Sequence, residues 1–178
     1  IESLMQYLRI TSFSVTRNTD IEFMHPGRCA NIILENKEIG FFGEVHPQTT
    51  KNYDIGMKVY VAEMDLEGLL AHINKDVQYK ALPKYPAISR DIAMLVKDEV
   101  LVGDIEKVIT QRGTKLLEKV ELFDVFKGKQ IEEGYKSVAY NLTFRAADRT
   151  LTDEEVQKAM KKILLGLEQE LEAKLRDQ

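Results

Sequence analysis

Between residues 137 and 145 apolar and polar positions alternate: Val138, Tyr140, Leu142 and Phe144 are interleaved with Ser137, Ala139, Asn141, Thr143 and Arg145. A period of two predicts a strand with one packed face and one small or polar face. In the preceding run Phe123 and Val125 point one way, and Asp124 and Phe126 the other. The residues between the runs, Lys127-Gly128-Lys129 and Glu132-Glu133-Gly134, predict a solvated hairpin connection. With Phe123 and Val125 in the core, Asp124 and Phe126 share the open face with Ser137 and Asn141. An acid, an aromatic, a hydroxyl and an amide on one uncovered sheet face are unusual for a purely structural sheet; the competing reading makes Phe126 a core residue with Asp124 at the rim.

The same patterning extends upstream. Ile92, Met94 and Val96 alternate with Asp91, Ala93 and Leu95, which predicts a strand. Val102, Ile105, Val108 and Ile109 form a helical stripe ended by Gly113. Thr152-Asp153-Glu154-Glu155 has the spacing of a capping box, and Val156, Met160, Ile163, Leu164, Leu167 and Leu171 line one side of the long helix behind it. Ala173 to Asp177 supply a fourth strand. The order β-α-β-β-α-β is that of a ferredoxin-like split βαβ, with both helices on one sheet face. Strands one and three are then central, and Ala93, Ser137 and Asp124 are expected to form a row across the open face. Small Ala93 leaves room for a base, Phe126 offers a stacking surface, and Asp124 and Ser137 can read donor edges of an unstacked nucleotide.

The first part of the chain is less regular. A short helix carries Leu4, Met5 and Leu8. Strands are expected at 13–15, 30–34, 39–45 and 58–64, with Glu35-Asn36-Lys37 as a hairpin turn. His46-Pro47 opens a short helix, and Asp65 caps another that carries Leu66, Leu69, Leu70 and Ile73. Residues 74–86 lose periodicity and contain two prolines, which places a domain boundary near Ala81, between 1–82 and 83–178. The fold class expected is α+β: a mixed antiparallel-sheet module followed by a ferredoxin-like βαββαβ domain with one open face.

Composition narrows the function classes. At 44% hydrophobic and 30% charged the chain reads as a soluble globular protein, and no apolar run approaches the roughly 20 residues that span a bilayer. The lone Cys29 has no partner in the chain for a disulfide, which favours a reducing, cytoplasmic setting. Opening at Ile1 in mid-helix, the sequence is expected to be a piece of something longer. Net charge is −4; residues 1–82 hold 8 Lys+Arg against 11 Asp+Glu, and residues 83–178 hold 17 against 18. A nucleic-acid binder driven by bulk charge would be basic, so RNA binding here must rest on a local surface.

The runs YPAISRDIAMLV, ELFDVFKGKQI, KSVAYNLTFRAADRTLTDEEV and LEAKLRD resemble the ferredoxin-fold anticodon-binding domain that ends the β subunit of bacterial phenylalanyl-tRNA synthetase. Upstream, HPGRCANIILENKEIGFFGEVHP and YVAEMDLEGLL resemble the end of the catalytic-like module that precedes it. The resemblance implies a ligase of α2β2 assembly, a class II aminoacyl-tRNA synthetase using ATP and magnesium, whose active site belongs to the α subunit. It implies tRNA, through its anticodon stem-loop, and the α subunit as partners, with neither membrane nor DNA among them. Asp124 would hydrogen-bond the first anticodon base and Phe126 would stack on it. Ala93 and Ser137 match neighbouring contacts, and Arg176 matches a basic contact near the C-terminus. Many relatives have Tyr where this chain has Phe126; stacking survives that change and a phenolic hydrogen bond does not. No F-R-x-E-like strand pair and no Gly-rich run ending in Glu-Arg is present, so the first part is expected to scaffold rather than catalyse, without catalytic residue or cofactor of its own.

Other readings of these residues are blander. His25, Cys29 and His46 match no zinc spacing, and the two His-Pro pairs suit turns. Lys127, Lys129, Arg145 and Arg149 lie near the proposed RNA face, either solvated or in contact with phosphates. The competing function is a regulatory domain of the same topology that binds an amino acid, with Gly103 at a helix start allowing close approach of a ligand.

Overall fold

The computed structural model describes residues 1–74, 79, 81–128 and 130–175. Two compact units, Ile1–Tyr79 and Lys80–Gln178, divide the chain.

The first unit runs α1 (Glu2–Tyr7), β1 (Phe13–Arg17), β2 (Met24–Leu34), β3 (Lys37–Val45), α2 (Pro47–Asn52), β4 (Tyr60–Met64) and α3 (Leu66–Ala71). Its four strands form one antiparallel sheet in sequential order. Met5, Ile10, Ile32, Leu34, Ile39 and Leu69 make its core. Glu35 and Asn36 both take positive φ, 46° and 66°, so a two-residue turn joins β2 to β3 with Leu34 opposite Lys37. Two left-handed residues match the twist of a tight hairpin. β2 begins earlier than the hydrophobic pattern suggests. His25-Pro26-Gly27-Arg28, expected as a turn, runs along the strand, and a register shift between Met24 and Cys29 accommodates it. Asp65 stands at the N-cap of α3 but makes no side-chain capping bond; its carboxylate lies 3.8 Å from Lys37 Nζ instead.

The second unit runs β5 (Ile88–Lys97), α4 (Val102–Arg112), β6 (Leu117–Phe126), β7 (Tyr135–Phe144), α5 (Asp153–Leu171) and β8 (Lys174–Leu175). Sheet order is β6-β7-β5-β8 with every neighbouring pair antiparallel, so the first and third strands are central as the ferredoxin-like order requires. Met94 and Val96 of β5, and Val138, Tyr140, Leu142 and Phe144 of β7, are sealed against Ile105 and Ile109 of α4 and Val156, Ile163 and Leu167 of α5. α4 stops because Thr114, not Gly113, turns left-handed at φ 61°. Gly113 is wanted for space: a Cβ there would collide with the Leu117 side chain as β6 begins. At the head of α5, Thr152 and Glu155 exchange both capping-box bonds.

β6 departs from expectation at its far end. Phe123 is 60% exposed, Val125 is also exposed, and neither belongs to the core. A bulge between Leu122 and Asp124 leaves Phe123 without a Cα partner on β7. An extra residue in one strand bends it and unpairs the bulged position. Val125 pairs with Val138, on the helix side of the sheet, without being covered.

Candidate nucleic-acid interface

Antiparallel partners directly opposite each other share a face, so register decides which side chains meet. Ser137 lies opposite Phe126 on one side and Leu95 on the other. Ala139 lies opposite Asp124 and Ala93. The expected row of Ala93, Ser137 and Asp124 is therefore corrected to two rows, Leu95-Ser137-Phe126 and Ala93-Ala139-Asp124. The period of two fixed the face, whereas the row depends on how the 127–134 connection closes. Lys174 of β8 pairs with Leu95 and extends the first row to the opposite edge.

The floor of this surface is small and the rim is large. Ser137 is only 7% exposed and Ala139 is buried, whereas Phe126 at the edge keeps 45% of its surface open. A ligand reaching Ser137 must come down onto the sheet itself, between Phe126 and Leu95. Among the described residues the Asp124 carboxylate makes no ion pair or side-chain hydrogen bond, which leaves its acceptor lone pairs available. The next row is already committed: Asn141 Nδ2 donates to Asp91 Oδ1 at 2.6 Å, and Thr143 Oγ1 donates to Asn141 Oδ1 at 3.5 Å. Asn141 thus belongs to the sheet's own polar network.

Among the described residues the cations around this face hold acids rather than standing free. Lys127 Nζ lies 2.8 Å from Asp98 Oδ1, which braces the end of β6 against the loop after β5. Lys136, on the helix side, donates to the carbonyls of Val100 at 2.6 Å and Asp98 at 3.1 Å, and burial pulls its ammonium below the usual lysine range. Arg145 pairs with Glu118 at 2.8 Å and donates to the Tyr85 carbonyl at 2.6 Å. Arg149 bridges Asp148 and Glu155. Lys129 and Arg176 lie outside the described residues. The pattern did not single out Lys174: its ammonium sits 4.5 Å from the Tyr135 ring centroid and 3.5 Å from Glu132. Its place in a short C-terminal strand was the available signal. Leu95 and Ala139 were likewise hidden until the register was known.

The remaining candidates have local uses. His25 Nδ1 accepts from the Gly27 amide at 3.0 Å, and His46 Nδ1 accepts from the Gln48 amide at 3.1 Å as the cap of α2. At Gly103 an added Cβ would meet nothing within 4 Å, so no neighbouring protein atom requires glycine there. Among the described residues no three His, Cys, Asp or Glu side chains converge on a possible metal position, and no helix is long and apolar enough to cross a membrane.

Comparison with known proteins agrees with this geometry. Residues 83–176 match the family described as ferredoxin-fold anticodon binding domain, and residues 1–66 match the phenylalanyl tRNA synthetase beta chain CLM domain. The chain is 48% identical over 176 residues to the phenylalanine–tRNA ligase beta subunit of Clostridium tetani, covering 99% of this chain and 22% of that one. The Bacillus subtilis beta subunit is 43% identical with the same coverage, and that of Streptococcus agalactiae is 48% identical over 86% of this chain and 19% of its own. The chain thus spans about a fifth of the length of these relatives. With both halves matched in their order along the chain, the protein belongs to the phenylalanyl-tRNA synthetase beta-chain family, and its second unit is a ferredoxin-fold anticodon binding domain.

Proposed function

We propose that residues 83–178 hold the anticodon arm of a tRNA on the open sheet face, as one part of a phenylalanine–tRNA ligase. The observation that carries this reading is the row Leu95-Ser137-Phe126, in which a half-exposed aromatic ring flanks a floor of small residues on the face away from both helices. A base splayed from the loop stacks on Phe126, and Asp124 accepts from its donor edge. Ala93 and Ser137 admit the nucleotide to the floor, and Arg176 supplies a basic contact. The consequence for the ligase is positional: gripping the anticodon sets the acceptor end in a distant active site.

Residues 1–82 form the end of the catalytic-like module and scaffold the α subunit in an α2β2 assembly in the cytoplasm. ATP and magnesium serve the whole enzyme. Among the described residues no three His, Cys, Asp or Glu side chains converge to hold a metal ion.

Binding of the 178-residue chain to an anticodon stem-loop RNA tests the reading. Phe126→Ala should weaken binding by about 1–3 kcal/mol for the lost stack. Asp124→Ala should weaken it by about 1 kcal/mol or more for the lost hydrogen bond, with a larger effect on the cognate loop than on one with an altered first anticodon base. Unchanged affinity in both variants would remove the open face from the function.

A further inference from the structure

Resting on that reading of the open face, we infer that Gly128 is a positioning residue for the Phe126 ring, and that the turn after β6 must carry no side chain at this point for the stacking surface to stand where it does. A Cβ added to Gly128 would lie 2.6 Å from Cζ of Phe126, 2.9 Å from Cε1 and 3.5 Å from Cε2. Carbon atoms in favourable contact stand about 3.5–4.0 Å apart, so the tip of the ring occupies the space that any side chain at 128 would need.

Backbone conformation does not demand glycine here. Of the described glycines only Gly40 and Gly134 have positive φ. The requirement comes from the ring alone. One residue later than Phe126, Lys127 is tied to Asp98 across 2.8 Å, so the backbone between ring and turn is held while the ring leans on Gly128. A methyl group at 128 would be relieved most cheaply by rotating the aromatic side chain, because the atoms it would meet are the far end of the Phe126 ring while the backbone of Phe126 is paired to Ser137 of β7. The ring would swing from its place opposite Ser137 without any loss to the core, to which Phe126 does not belong. A two-residue relay therefore sets the geometry of the interface: the turn fixes the ring, and the ring receives the base.

Two measurements on the 178-residue chain test this. Nuclear Overhauser contacts between the Gly128 α-protons and the Phe126 ring protons should be present without RNA; their absence would overturn the inference whatever RNA does. The second is a double-mutant cycle with an anticodon stem-loop carrying 2-aminopurine in the loop, whose fluorescence falls on stacking. Gly128→Ala should weaken binding roughly threefold to tenfold and reduce the quench, a fraction of the roughly fivefold to 150-fold expected for Phe126→Ala. Adding Gly128→Ala to Phe126→Ala should cost nothing more, since no ring is left to displace. Gly103→Ala, which meets open space, should leave binding unchanged. If Phe126→Ala weakens binding while Gly128→Ala matches the native chain in affinity and quench, or if the two losses simply add, the positioning role is overturned and the open-face reading stands. If Phe126→Ala itself has no effect, the face reading fails first. The double variant also removes the clash, so it reports even if Gly128→Ala alone folds poorly.

Discussion

Glu44 sits in β3 of the first unit at 3% exposure, where an unpaired carboxylate would be costly. Arg28 Nη1 donates to its Oε2 at 2.6 Å, the Tyr60 hydroxyl donates at 3.4 Å, and Lys58 Nζ stands 3.9 Å away. The Arg28 hydrogen bond, foremost, holds the carboxyl below the usual glutamate range against the opposing effect of burial, with the charges of Arg28 and Lys58 adding to it. A folded-state value below the unfolded one means the folded chain takes up its proton later on acidification. The ionised pair thus contributes stability at every pH above the ordinary carboxylate value, and that contribution disappears as pH falls through the depressed folded value. Glu44→Gln should therefore melt below the native chain at neutral pH, and the gap should close on acidification. Thermal melts across the acid range check this. A gap that stays constant would show the carboxylate to be no more favoured folded than unfolded.

At the scale of elements, α5 shows how much the sequence discloses when local chemistry decides. Thr152-x-x-Glu155 announces the helix start, and in the fold Glu155 Oε2 accepts from the Thr152 amide at 3.1 Å while Thr152 Oγ1 accepts from the Glu155 amide at 3.4 Å. Arg149 reaches Glu155 at 2.6 Å and secures the same corner. Thr152→Ala should cost about 1 kcal/mol, read as a lowered urea midpoint at unchanged slope, and Thr152→Ser should recover most of it. Equal midpoints for the alanine and serine variants would mean the cap contributes nothing. The order of strands and helices in the second unit was legible for the same reason, since alternation and helical stripes are local signals. The faces of Asp124, Phe126 and Ser137 were legible too. Their rows were not: Asp124, Val125 and Phe126 pair without a break with Ala139, Val138 and Ser137, so the rows follow from where the pairing begins beside the connection, and nothing in a period of two records that register. Exposure at the end of β6 was misjudged because apolar Phe123 and Val125 look like core residues to a pattern. In the fold they lie outside the core that α4 and α5 seal.

The charge of the whole chain sets how an RNA can be held. Net charge is −4, and the described cations nearest the proposed face already hold acids: Lys97 with Glu172 at 2.8 Å, Lys127 with Asp98 at 2.8 Å, Arg145 with Glu118 at 2.8 Å, Lys119 with Glu121 at 2.6 Å and Lys174 with Glu132 at 3.5 Å. A phosphate that approaches one of them replaces an existing carboxylate partner, so it gains little and releases few counterions. Binding through stacking and base-edge hydrogen bonds, by contrast, is nearly indifferent to salt. Each phosphate neutralised on a single strand contributes roughly −0.7 to the slope of log K against log salt, so the slope for the anticodon stem-loop should be shallower than about −2, equivalent to fewer than about three phosphates. Phe126→Ala should lower affinity at every salt concentration and leave that slope unchanged, because it removes a stack and no charge. Titrations from roughly 50 to 300 mM salt resolve both quantities. A slope near −4 or steeper would move the affinity to the phosphates, and the aromatic edge of the sheet would no longer be what holds the RNA.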